Sequence, residues 1–95
     1  MQYIGEIRIT IMNEDEWIRV QDHCFNHGIY WSSSGTIKFI PDTIKVSPLS
    51  IIIAIKRNKV TLMAGPNTYL DRLQYYTVEE FMKHNLKELL FDILL

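Results

Sequence analysis

Five consecutive residues, Ile51-Ile52-Ile53-Ala54-Ile55, carry no polar side chain, and four of them are β-branched. A run of that length and branching reads as a strand buried on both faces, so the rest of the chain has to supply neighbouring strands and covering layers. It is also the longest uninterrupted aliphatic stretch, far short of the roughly 18 to 20 residues that span a bilayer, so no membrane-crossing helix is expected. With 95 residues, 47% hydrophobic and 22% charged, the chain suffices for one core and reads as a single domain over 1–95.

The flanking patterns supply the layers. Tyr3 to Met12 alternates, with Gly5, Ile7, Ile9 and Ile11 on one side and Glu6, Arg8 and Thr10 on the other, as a half-buried strand does. Asn13 followed by Glu16 has capping-box spacing, and Met12 and Trp17 occupy the staple positions, so a helix starts there. Its apolar face is Trp17, Val20, Cys24 and Phe25, and Gly28 stops it near His27. Ile29 to Trp31 and Thr36 to Ile40 read as a hairpin around Ser32–Gly35, and Ile44 to Val46 as a short edge strand. Val60 to Ala64 returns antiparallel from the central run across the basic tip Lys56-Arg57-Asn58-Lys59, and Gly65-Pro66-Asn67 ends the sheet. Residues 69–76 give no decisive pattern. Thr77-Val78-Glu79-Glu80 repeats the capping box ahead of a C-terminal helix with the stripe Val78, Phe81, Met82, Leu86, Leu89, Leu90, Ile93 and Leu94. The expected fold is therefore α+β: a mostly antiparallel sheet of about 4–5 strands with two helices, in the order β-α-β-β-(β)-β-β-α.

Residues that carry chemistry do not assemble into a catalytic set. His23 and His27 lie four apart on the first helix, a spacing that turns two imidazoles the same way, but nothing nearby completes a metal site, and they read as solvated histidines near a helix C-terminus. Cys24 follows Trp17 and Val20 onto the apolar face, so it reads as a small buried hydrophobe rather than a nucleophile. The carboxylates Asp15/Glu16 and Glu79/Glu80 occupy first helical turns, where capping and the helix dipole account for them. No phosphate loop, nucleophile elbow or zinc spacing occurs. No enzyme activity, cofactor or metal is expected. A lone cysteine, no Asn-x-Ser/Thr acceptor, and charges at Glu6 and Arg8 where a signal peptide would be apolar make the cytoplasm the expected location.

Charge is distributed unevenly: residues 1–30 sum to -3, residues 36–60 to +4 and residues 70–95 to -2. Lys56, Arg57 and Lys59, with Lys38 and Lys45, therefore form a candidate basic surface for phosphates or an acidic protein face, against the alternative of a solvated turn whose lysines protect a sheet edge. Tyr30, Trp31, Ser32 and Ser33 form a second candidate binding surface, since aromatic rings beside small polar groups suit an interface or base stacking; the alternative for Trp31 is a core position. At the C-terminus, Phe91, Leu94 and Leu95 extend the apolar surface beyond one stripe and are candidates for a homo-oligomer interface.

The pattern Val20-Gln21, Phe25, Gly28, Trp31 after a strand and a capped helix resembles small proteins encoded by tailed bacteriophages and prophages, and Thr77-Val78-Glu79-Glu80-Phe81 is similar to their closing helix. The matched positions cover about a third of the chain, each has a structural reason, and the basic tip is not among them. The resemblance implies a short accessory protein in the cytoplasm of an infected bacterium, binding and inhibiting a host enzyme or an antiviral-defence protein. Two other classes fit the residues: an oligomeric sponge that sequesters a nucleotide signal, and a nucleic-acid-binding module whose affinity falls steeply with salt.

Overall fold

The computed structural model describes residues 3–56, 59–66, 74–86 and 88. In chain order the elements are β1 (Tyr3–Ile11), α1 (Glu14–Asn26), β2 (Tyr30–Trp31), a 3-10 turn (Asp42–Lys45), β3 (Leu49–Lys56), β4 (Lys59–Pro66), β5 (Gln74–Thr77) and α2 (Val78–Lys83). The strands form one sheet in the spatial order β2-β4-β3-β1-β5, with the isoleucine run in the central strand.

One face of this sheet carries Ile7, Ile9 and Ile11 of β1, Ile51, Ile53 and Ile55 of β3 and Leu62 of β4. All of them are fully buried in a cluster with Trp17, Val20 and Cys24 of α1 and Val78 and Phe81 of α2. The other face of β3, through Ser50, Ile52 and Ala54, is buried as well, as the unbroken apolar run requires.

The sheet is mixed rather than mostly antiparallel. β3 pairs antiparallel with β1 and β4, but β5 joins β1 in parallel and β2 joins β4 in parallel. The parallel edge at β2 follows from α1, since a chain that leaves a strand, runs through a helix and rejoins the same sheet can re-enter in the original direction. β5 is the strand that the ambiguous segment conceals.

Three further expectations are corrected. Thr36–Ile40 is an irregular segment, not the second strand of a hairpin. The chain after Trp31 instead closes a tight turn, in which Trp31 N donates to Gly35 O (3.0 Å) and Gly35 N to Trp31 O (2.9 Å). Ile44–Val46 is not an edge strand: Ile44 is the buried residue of the 3-10 turn, and Val46 is its exposed cap. The C-terminal stripe is interrupted within its described part, while Leu89, Leu90, Ile93 and Leu94 lie outside the described residues. α2 ends at His84, whose backbone is extended at ψ 145°, and Asn85 Oδ1 then accepts from Glu88 N (3.4 Å), so the asparagine that interrupts the stripe caps a new turn.

The helix starts follow their caps. Asn13 Oδ1 accepts from Glu16 N (2.9 Å), and Glu16 Oε1 accepts from Met12 N (2.8 Å). Met12 itself stays 57% exposed, so Glu16 rather than a Met12–Trp17 staple fixes how the chain turns into α1. Thr77 and Glu80 form the reciprocal box at α2. At the far end of α1, Gly28 adopts φ +75°, and its N–H and that of Ile29 close onto Phe25 O and Cys24 O. No described helix is long and apolar enough to cross a membrane.

Candidate functional site

Sheet register divides the aromatic pair of β2. Trp31 stands beside Leu62 and enters the core, whereas Tyr30 stands beside Thr61, and its ring turns at the sheet edge onto Phe25 of α1. Trp31 is 4% exposed and stacks on Trp17, with ring centroids 5.6 Å apart and planes 11° apart. It is thus a core residue, and the binding candidate of the pair is Tyr30. Tyr30 remains 40% exposed, and its ring is held perpendicular to Phe25 at 5.1 Å. Ser32 and Ser33 are exposed turn residues, and Ser32 N donates to Leu62 O (3.0 Å).

The same register gathers part of the basic tip near Tyr30. Lys56 of β3 pairs with Lys59 of β4, and Lys59, two residues from Thr61, falls on Thr61's face. Tyr30, Thr61, Lys59 and Lys56 thus occupy one corner of the sheet. Lys59 is exposed, Lys56 is half-buried, and Arg57 lies outside the described residues. Tyr30, Trp31 and Lys59 line a cleft of about 530 Å³ together with His27, Gly28, Ile29, Gly35, Val60 and Thr61. Phe91, Leu94 and Leu95, the candidate oligomer contacts, also lie outside the described residues.

A second surface, which the sequence reading missed, is built on Gln21. This side chain is 2% exposed, and its Oε1 accepts both Trp31 Nε1–H (2.8 Å) and Phe39 N–H (3.0 Å). Trp17 Nε1 donates to Phe39 O (2.8 Å), so both backbone groups of Phe39 bond to side chains of α1 rather than to a strand. The Phe39 ring lies 4.6 Å from that of Trp31 and 5.8 Å from that of Trp17. Pinned in this way, the segment after the serine turn lies along α1, where Ile18, Gln21, Asp22, Lys38, Phe39 and Ile40 line a groove of about 510 Å³. Ile18, Phe39 and Ile40 are each between 36% and 40% exposed, and Lys38 Nζ lies 2.7 Å from Asp22 Oδ1 at the rim. The available signal was Gln21 itself, a polar residue four positions after Trp17 on an otherwise apolar helix face.

The titratable groups separate by environment. Burial pushes the Cys24 thiol up to about 12, which keeps it protonated and inert near neutral pH. His23 is not simply solvated. Its Nε2 is buried without a hydrogen-bond partner among the described residues, and its ring packs edge-on against Phe81 of α2 at 5.7 Å. Burial, and secondarily the charge of His27, hold it below the usual imidazole range. His27 Nδ1 sits 2.9 Å from His23 O, and the two rings are 4.7 Å apart. No group of three or more metal-ligating side chains occurs among the described residues.

The geometry therefore provides two recesses with no lining residue in common, one apolar with a paired acid and base, the other basic and aromatic. No family model matches the chain, and no curated protein or solved structure shows significant similarity to it.

Proposed function

We propose that this chain acts by binding another protein through the surface formed by Ile18, Phe39 and Ile40. The observation that carries the reading is the grouping of three exposed large apolar side chains around one groove with the Asp22–Lys38 pair at its border. Isolated exposed hydrophobic residues are ordinary, but a contiguous apolar recess rimmed by charge is the usual form of a protein-docking surface. The hydrogen bonds of Gln21 and Trp17 to Phe39 hold the segment before association, which lowers the ordering cost of binding. The resemblance to small phage-encoded accessory proteins supports a bacterial host or antiviral-defence protein as the partner, and inhibition by direct contact as the mode of action.

The test is affinity capture from bacterial lysate with three immobilised chains: wild type, Ile18→Glu/Ile40→Glu, and Lys59→Glu, each first shown to be folded by circular dichroism. The expected result is a stoichiometric protein retained by wild type and Lys59→Glu but lost from the double variant. Equal retention by all three, or none by wild type, overturns the assignment.

A further inference from the structure

We infer that the cleft at the Tyr30 corner of the sheet binds a small anion with a planar ring, the chemistry of a nucleoside monophosphate. It shares no lining residue with the Ile18–Phe39–Ile40 groove and is independent of the protein-binding reading.

Four observations converge. The cleft measures about 530 Å³, within the range of small-molecule sites. Among the described residues its one charged lining group is Lys59, with no carboxylate, and the adjacent register position adds Lys56 to the same corner; the other groove, by contrast, pairs acid with base. Tyr30, partly exposed and buttressed by Phe25, supplies an oriented ring for stacking.

The fourth observation is Thr61. The residue lines the cleft next to Tyr30 in the sheet register; it is 3% exposed, and its Oγ1, just beneath the cleft surface, has no hydrogen-bond partner among the described residues. A buried hydroxyl without a partner is costly, and an acceptor delivered beside Tyr30 satisfies it.

The C-terminal end of α1 borders the cleft, and the negative end of a helix repels anions. Here its last carbonyls are occupied: Cys24 O accepts from His27 and Ile29, Phe25 O from Gly28, and His23 O faces His27 Nδ1. Lys59 at the mouth is therefore not opposed by bare carbonyl groups.

The experiment is a titration of the ¹⁵N-labelled full chain with adenosine monophosphate and uridine monophosphate, with adenosine and inorganic phosphate as separate arms. Saturable shifts at Tyr30, Gly35, Lys59 and Thr61 are expected with the nucleotides, and weaker responses with either half alone. Lys59→Glu should weaken nucleotide binding about tenfold or more, from loss of a charge-assisted contact, while Ile40→Glu leaves it unchanged. No saturable shift with either nucleotide, or an affinity that Lys59→Glu does not alter, overturns the inference. A response to phosphate equal to that of the nucleotides overturns the planar-ring part of it.

Discussion

At the scale of single residues, Gln21 does more than its type suggests. One carbonyl oxygen satisfies a buried indole N–H and a partly buried backbone N–H. Replacing it with leucine keeps the volume but leaves both donors unpaired, so Gln21→Leu should lose about 2 to 4 kcal/mol in urea unfolding, against less than about 0.5 kcal/mol for a surface change such as Arg19→Ala. Cys24 gives a second check: its thiol should resist a disulfide reagent in the native protein and react fully once the chain is unfolded. Much at this scale was legible. The caps at Asn13 and Thr77, the stop at Gly28 and the buried Trp17, Val20 and Cys24 are local consequences of residue type and spacing. The placement of Trp31 in the core and Tyr30 outside was not, because a two-residue strand has too short a pattern to show which face is which.

At the scale of elements, the misread segments are those whose hydrogen-bond partners lie far away in sequence. Thr36-Ile37-Lys38-Phe39-Ile40 alternates like a strand, but Phe39 finds Gln21 and Trp17 instead of a neighbouring strand. Gln74–Thr77 carries no turn signal that would mark it as a strand, since it pairs in parallel with β1 and not with an adjacent hairpin partner. The contact between α1 and α2 carries a pH dependence. The His23 ring faces His27 on its own helix and Phe81 on α2, and its folded pKa lies below the unfolded value of 6.5. The unfolded chain therefore takes up the proton first, and stability falls as pH drops below 6.5 until the folded group titrates as well. Comparing denaturation midpoints at about pH 7 and about pH 5 should show this loss in wild type and a smaller one in His23→Leu. An equal loss in both would assign the acid sensitivity to other groups.

At the scale of the whole molecule, the early strand β1 is enclosed by two later ones, with Ile9 opposite Ile51 on one side and Tyr76 on the other. These pairings close long loops before they return any stabilisation, so refolding is expected in the millisecond-to-second range rather than in microseconds. Stopped-flow tryptophan fluorescence measures it, because Trp17 and Trp31 stack only when α1 and β2 have docked. The α+β class, the central isoleucine strand and the β3–β4 hairpin were readable because they rest on periodicity and short-range turns. Strand order was not, because periodicity shows which residues are buried without showing against what.

The turn that joins Trp31 to Gly35 has a consequence for how the molecule meets others. A sheet edge ordinarily offers a row of backbone donors and acceptors on which a foreign strand can grow, the first step towards fibres and swapped assemblies. Here the outer strand is two residues long, and both backbone groups of Trp31 are occupied by its own chain. At β2 itself recruitment thus falls to side chains, so selectivity there can be altered by substitution at Tyr30 without freeing the backbone of Trp31 as a template.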